Sequence, residues 1–180
     1  MTIEFRVLRT ADQLAVMPEF EARIWGGDDD RVSVNMLVAC IEEGGVAIGA
    51  FEDDRMIGSV FGFRTHEADV LHSHYLAVDP QYRRGGLGEQ LKRRQADWCL
   101  ANGVTSMRWT FDPLQLTNAH LNLNKLGALG ITYHVNHYGA LGGINGSLPS
   151  DRLTVQWYLI GERPTFTERF DLDVPPVSPE

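Results

Sequence analysis

The sequence predicts a single α+β domain built on a mixed, mostly antiparallel central sheet flanked by helices, and three observations carry that expectation. Two apolar runs, Val46–Phe51 and Met56–Phe63, follow each other with only an acidic turn between them. Two later strand-like runs each stop at an Asp-Pro pair, Asp79-Pro80 and Asp112-Pro113, where proline removes a ladder donor. Helical patterns fall before, between and after these runs without a regular strand–helix alternation. At 180 residues the chain has room for one core. We read 1–161 as the domain and 162–180, with Pro164, Pro175, Pro176 and Pro179, as a tail.

In order, Ile3 to Leu8 alternates with period two and opens the chain as a strand. A helix follows from about Asp12 to Ile24, ended by Gly26-Gly27 and the acidic run Asp28-Asp29-Asp30. Such a run suits a solvated loop or the approach of a cationic substrate. Ser33 caps a second helix with Met36, Leu37, Cys40 and Ile41 on one face, up to Gly44-Gly45. The hairpin around Asp53-Asp54-Arg55 comes next, then a strand from Val70 to Val78. Leu87 to Asn102 is helical, with Leu87, Leu91 and Trp98 on one side and Gly103 to end it. Thr105–Phe111 is a strand, and a short helix from Thr117 or Asn118 ends at Gly127. Ile131–Val135 and Leu153–Ile160 are the closing strands, separated by a Gly-rich excursion from Gly139 to Ser150.

Composition narrows the function. No apolar run approaches the ~20 residues of a membrane span. The start, Met1-Thr2-Ile3-Glu4-Phe5-Arg6, has no signal-peptide pattern, so a cytoplasmic protein is expected. Cys40 and Cys99 read as buried free thiols, and the six histidines lack zinc spacing, so no metal is expected. A net charge of −8 argues against a nucleic-acid partner. Yet five of the sixteen Lys and Arg residues fall between Arg83 and Arg94. A solvated helix face explains such a run, and so does a phosphate-rich ligand.

The glycines beside that run favour the ligand. Arg83-Arg84-Gly85-Gly86-Leu87-Gly88 joins a strand to a helix. The helix start has unbonded amides and roughly half a positive charge. Glycines let a ligand approach those amides, and the two arginines add formal charge, which together make a receptor for a pyrophosphate. The P-loop lysine and hydroxyl are missing, since Glu89 follows Gly88. Antiparallel strands upstream argue against a dinucleotide fold.

At Arg83, Gly86 and Gly88 the segment matches the [Arg/Gln]-x-x-Gly-x-[Gly/Ala] signature, and here the chain resembles the GNAT acyltransferase superfamily. Leu76-Ala77-Val78-Asp79-Pro80-Gln81-Tyr82 resembles that family's lead-in, and Asn118–Gly127 its second cofactor helix. Trp109–Pro113 and Ser150–Leu153 are similar to a bacterial branch of it. The resemblance runs from Ile3 to about Ile160. It implies a V-shaped splay between the central strands and acetyl-CoA, or another acyl-CoA, as co-substrate. Pantetheine would lie along Leu76, Ala77 and Val78, the pyrophosphate at the amides of Arg84, Gly85, Gly86, Leu87 and Gly88, and Asn118 would reach the pantetheine arm. It also implies direct transfer to an amine of a small molecule or peptide, and homodimers are frequent in the superfamily.

Several members place a glutamate base eleven residues before the signature; here that position is His72, with His74 on the same face of the strand. Either histidine is equally explained by structural hydrogen bonds. Many members place a proton-donating tyrosine four residues before the glycine ending the second cofactor helix; here it is Leu123. Tyr138 and Tyr133 downstream are the alternatives, though Tyr133 reads more simply as a core or rim aromatic. Two rival readings stay open: an acyl-CoA-binding regulatory module, which Leu123 favours, and an enzyme of this fold that acts on a hydroxyl or hydrolyses the thioester.

Overall fold

The computed structural model describes residues 2–26, 31–139 and 150–161. The Asp28-Asp29-Asp30 run, most of the Gly139–Ser150 excursion and the 162–180 tail lie outside these. Seven strands form one sheet: β1 (Ile3–Leu8), β2 (Val46–Glu52), β3 (Arg55–Arg64), β4 (Val70–Val78), β5 (Ser106–Phe111), β6 (Leu129–His134) and β7 (Arg152–Tyr158), in the order β1-β2-β3-β4-β5-β7-β6. Every neighbouring pair is antiparallel except β4–β5. The α+β expectation therefore holds, and no helix among the described residues is long and apolar enough to cross a membrane.

The first helical stretch is divided into α1 (Ala11–Leu14) and α2 (Val16–Trp25). Thr10 and Gln13 close a capping box on α1. Pro18 has no amide to offer the Leu14 carbonyl, which explains why the two do not merge. Ser33 caps α3 (Val34–Glu42) by accepting from the Met36 amide at 3.3 Å. Leu37 on α3 is buried, whereas Met36, expected on the same face, is 56% exposed. Leu37 lies a full turn from Ile41 and Val34, and Met36 is rotated away from that line. Cys99 is buried as expected, while Cys40 is only partly so; both are free.

Two cores sandwich the sheet. One lies under α4 (Leu87–Ala101) and joins Leu87, Leu91 and Cys99 to Leu71, Met107, Trp109 and Val155. The other joins Leu14, Met17, Phe20 and Leu37 of the early helices to Phe51, Phe61 and Ala77. Gly62 of β3 permits the close approach of α4: a Cβ there would meet Gln95 Nε2 at 2.9 Å and the His72 carbonyl at 2.8 Å.

Two irregularities shape the centre. Pairing of β4 with β5 stops after Val70–Ser106, Leu71–Met107 and His72–Arg108, though both strands run on, so the sheet splays beyond these pairs. On its other side β4 carries a bulge, for Phe61 faces Tyr75 while Gly62 faces Ser73, which leaves His74 unmatched. The extra residue reverses the alternation of side chains. Tyr75 and Ala77 consequently join the α2–α3 core, and Leu76 and Val78 turn towards α4.

Lys92 breaks the apolar pattern of α4. It is 3% exposed, its Nζ donates to Ser73 Oγ at 2.7 Å and sits 3.6 Å from the centroid of the Trp109 ring. Burial pushes its ammonium down to about 7. Between that value and the ordinary lysine range the unfolded chain binds more protons than the folded one, so stability climbs as pH rises through this window. Lys92→Met should raise the unfolding free energy at pH 7 by about 2 kcal/mol, and the gap to wild type should narrow towards pH 10. Urea denaturation across that pH range measures both.

Candidate functional site

A cleft of about 630 Å³ occupies the splay. Leu76, Ala77 and Val78 of β4 line one wall, and Asp112, Gln115, Thr117, Asn118 and Leu121 line the other. Arg83 and Gly88 stand at its mouth, while Ile24 and Trp25 of α2 border it from the opposite side of the sheet. The cleft thus passes through the sheet, open towards the α4 start on one face and towards α2 on the other.

Backbone groups make one wall. The Asp79 amide bonds the Ile57 carbonyl on β3 at 2.9 Å. Strand residues two apart point their amides and carbonyls the same way, so Ala77 and Tyr75 also face β3, and Leu76 and Val78 face the gap. Arg83 Nε reaches the Val78 carbonyl there at 3.3 Å.

Asp79 also organises the turn. Its carboxylate accepts from the Gln81 amide at 3.0 Å and from Arg55 Nη2 at 2.8 Å, which caps a 3₁₀ segment, Pro80–Gly85. Tyr82 Oη donates to Glu52, fastening that segment to β2. Gly86 then turns left-handed at φ +74° and starts α4. Arg83, Arg84 and Gly85 are exposed, and space is open where a Cβ would stand at Gly85 or Gly86. Leu87 is buried under the helix start, and Gly88 faces Leu76, Val78 and Leu121 across the cleft.

The cluster of basic residues divides on inspection. Arg83 and Arg84 belong to the turn, but Arg93 pairs with Glu89 at 2.9 Å, Arg94 covers the Phe5 ring at 3.9 Å, and Lys92 is in the core. Neither a solvated face nor a single phosphate site describes all five.

The second helix begins at Leu116, earlier than expected, as α5 (Leu116–Ala119) and widens into a π turn over His120–Lys125. There the Leu126 amide bonds the Leu121 carbonyl at 2.9 Å, five residues back. Asn118 and Leu121 face the cleft, while Leu123 does not line it.

On the α2 side lie the titratable groups. His72 stacks on Phe63 at 4.9 Å and stands 6.1 Å from His74, so the two share a face. Burial, and then the charges of His74, Lys92 and Arg108, push His72 down to about 4. His74 is lowered by burial alone and keeps an exposed edge. Arg108 of β5 forms a two-pronged pair with Glu67 at 2.7 and 3.2 Å and also holds Gln156. Tyr138 Oη lies 3.1 Å from Thr110 Oγ1; Thr110 alternates with buried Trp109 and Phe111, which puts Tyr138 on the α2 side too. Tyr133, expected as a core or rim aromatic, stands at the rim, 54% exposed, and donates to Asp151 at 2.6 Å.

Sequence reading missed Glu21. It is 3% exposed on α2, one turn before Trp25, whose ring packs on Tyr75 at 5.6 Å. Glu21 Oε1, Ser59 Oγ and Tyr75 Oη are all buried without a hydrogen-bond partner of good geometry. Burial raises the Glu21 carboxyl, against the opposing pull of Tyr75, Val32 and Arg31. Its spacing from Phe20, Ile24 and Trp25, a polar residue on an apolar stripe, was the available signal.

Residues 13–127 match the model of the Acetyltransferase (GNAT) family. No curated protein sequence matches the chain. Among solved structures, it is similar to the ribosomal-protein-S18-alanine N-acetyltransferase from Escherichia coli, with a TM-score of 0.70 at 20% identity over 92% of this chain and 100% of that one. A putative acetyltransferase from Salmonella typhimurium, solved with its cofactor acetyl-CoA, gives 0.68 at 17% identity over 93% and 99%. An acetyltransferase of this type from Streptococcus pneumoniae gives 0.70 at 14% over 88% and 99%.

Gly85 and Gly86 isolate the backbone requirement of the turn, since neither has a neighbour for a Cβ to strike. Gly86→Ala, at positive φ, should cost about 1 kcal/mol of stability, and Gly85→Ala should cost markedly less. Paired urea denaturation curves test the difference.

Proposed function

The chain belongs to the GNAT acetyltransferase family, and from that premise we propose that it moves an acyl group, acetyl foremost, from an acyl-CoA to a primary amine by direct attack. The observation that carries this reading is the splay that opens beside the glycine turn: a through-sheet cleft with backbone donors at its mouth. The residues fit such a co-substrate, because the open space at Gly85 and Gly86 exposes amides that a side chain would screen.

An acyl-CoA supplies a thioester carbonyl and a sulfur leaving group. The amides at the start of α4, with Arg83 and Arg84, hold the pyrophosphate; Leu76 and Val78 offer backbone partners to the pantetheine arm, and Asn118 reaches it from the other wall. The amine enters from the α2 side, where Glu21, Ser59 and Tyr75 form a buried oxygen-rich cluster next to Trp25 that suits an ammonium.

Attack needs a neutral amine. His72, pushed down to about 4, is uncharged at neutral pH but holds a proton poorly. His74 lacks the cationic neighbours that burden His72, so we assign proton acceptance to His74 and orientation of that ring to His72. Tyr138 is given contact with the acceptor, since it lies on the α2 side. The rival reading, a binding module without turnover, draws on Leu123.

Incubation with acetyl-CoA and a panel of amines should release free thiol only when an accepted amine is present. Release without amine would mean hydrolysis, and tight binding without release would mean a module. His74→Ala should lower kcat about 100-fold with acyl-CoA affinity retained; an unchanged kcat removes His74 from the chemistry. Gly86→Glu should abolish binding in calorimetry by setting bulk and negative charge against the pyrophosphate.

A further inference from the structure

The Ser150-Asp151-Arg152-Leu153 segment brings a guanidinium to the cleft and leaves it without an ionic partner. Leu153 and Val155 of β7 pack into the core under α4, so Arg152 and Thr154, which alternate with them, point to the α2 face. Thr154 stands opposite Thr110 on that face, and Arg152 lines the cleft, half-buried. Asp151, the nearest carboxylate in sequence, is engaged elsewhere: its Oδ1 accepts from the Asn136 amide at 2.9 Å and its Oδ2 from Tyr133 Oη at 2.6 Å. Buried Ser150 ties the same turn, accepting from the Tyr138 amide at 2.9 Å and donating to Asn136 Oδ1 at 3.2 Å. These bonds set the centroid of the Tyr138 ring 5.3 Å from the Arg152 guanidinium carbon. Asp112, the carboxylate in the cleft wall, accepts from the Leu114 amide at 2.9 Å. Among the described residues Arg152 donates only to the Asp151 carbonyl, at 2.8 Å, and no carboxylate comes within ion-pair distance of it.

The geometry points to an acceptor that carries a carboxylate beside its amine, with Arg152 as the residue that selects it. The inference rests on the acyl-CoA reading above and names the substrate class for that site. Two guanidinium groups line the cleft, Arg83 and Arg152. Arg83 stands at the α4 mouth with the amides assigned to the pyrophosphate, whereas Arg152 is on the other face of the sheet, where the acceptor enters. The phosphates of an acyl-CoA all lie at the end away from its thioester, so an anion held by Arg152 belongs to the acceptor. The planar fork of an arginine matches the two oxygens of a carboxylate. Partial burial beside the Tyr138 ring keeps water from the pair, which strengthens it over an exposed one. Ile24 and Trp25 border the same end of the cleft and offer apolar surface to the rest of the acceptor. The class is therefore an amino acid with an apolar side chain, free or at the end of a short peptide.

The test follows thiol release from acetyl-CoA by the whole protein, with acceptors that differ in the carboxylate: phenylalanine and phenylalanylglycine against phenethylamine, and leucine against isopentylamine. Wild type should favour a carboxylate-bearing acceptor over its amine about 30-fold in kcat/KM, chiefly through KM. Whether phenylalanine or phenylalanylglycine is the better acceptor tells a free amino acid from a peptide. Arg152→Gln should bring the ratio of acid to amine close to one, and Arg152→Glu should turn it below one. A folding fault alone would lower both members and leave their ratio as it was. If no carboxylate-bearing acceptor is favoured over its amine in wild type, the inference is overturned without any variant, and a wild-type ratio retained in Arg152→Gln overturns it as well. So does release with none of these acceptors by a protein that binds CoA in calorimetry. Failure to bind CoA at all overturns the parent reading, which sets the two failures apart.

Discussion

Three residue pairs, Val70–Ser106, Leu71–Met107 and His72–Arg108, hold β4 to β5, and the sheet parts beyond them. Unpaired backbone in a core is costly unless something satisfies it. Here the gap is faced by Leu76 and Val78, with Arg83 taking one carbonyl. The rest of the site follows from that gap: a cleft that crosses the sheet, a mouth at the start of α4, and two chemically different faces. The bulge at His74 reinforces it by turning Leu76 and Val78 towards α4 and Tyr75 and Ala77 towards α2.

The two faces divide the work. Towards α4 the cleft meets the helix-start amides and the Arg83 guanidinium, an arrangement suited to anions. Towards α2 it meets Ile24 and Trp25, and Trp25 packs in turn on Tyr75. The low pKa of His72 comes first from burial and then from the charges of His74, Lys92 and Arg108. Lys92 and Glu21, each 3% exposed, are buried titratable groups that cost the fold stability.

Much of the fold was legible from local pattern. The hairpin around Asp53-Asp54, the Asp79-Pro80 stop, the Ser33 cap and the Gly86 turn each announce themselves within a few residues. What the sequence hid depends on distant partners. The bulge at His74 is a mismatch with β3; the burial of Lys92 needs Ser73 and Trp109 beside it; the π turn after Ala119 has no residue signature. Basic residues between Arg83 and Arg94 look alike in sequence, yet helical periodicity sends Arg93 to Glu89, Arg94 to Phe5 and Lys92 to the core. Glu21 was overlooked because an acid on an early helix reads as surface until Tyr75 and Ser59 are set against it.

Amide hydrogen exchange with and without CoA addresses the central claim most directly, because the account rests on backbone donors. Added CoA should slow exchange at Leu76 and Val78 in the gap and at Arg84 to Gly88 at the α4 start, and leave Tyr75 and Ala77, already bonded to β3, unchanged. Slowing confined to other segments while these amides exchange as before would contradict the assignment of the splay as the acyl-carrier site.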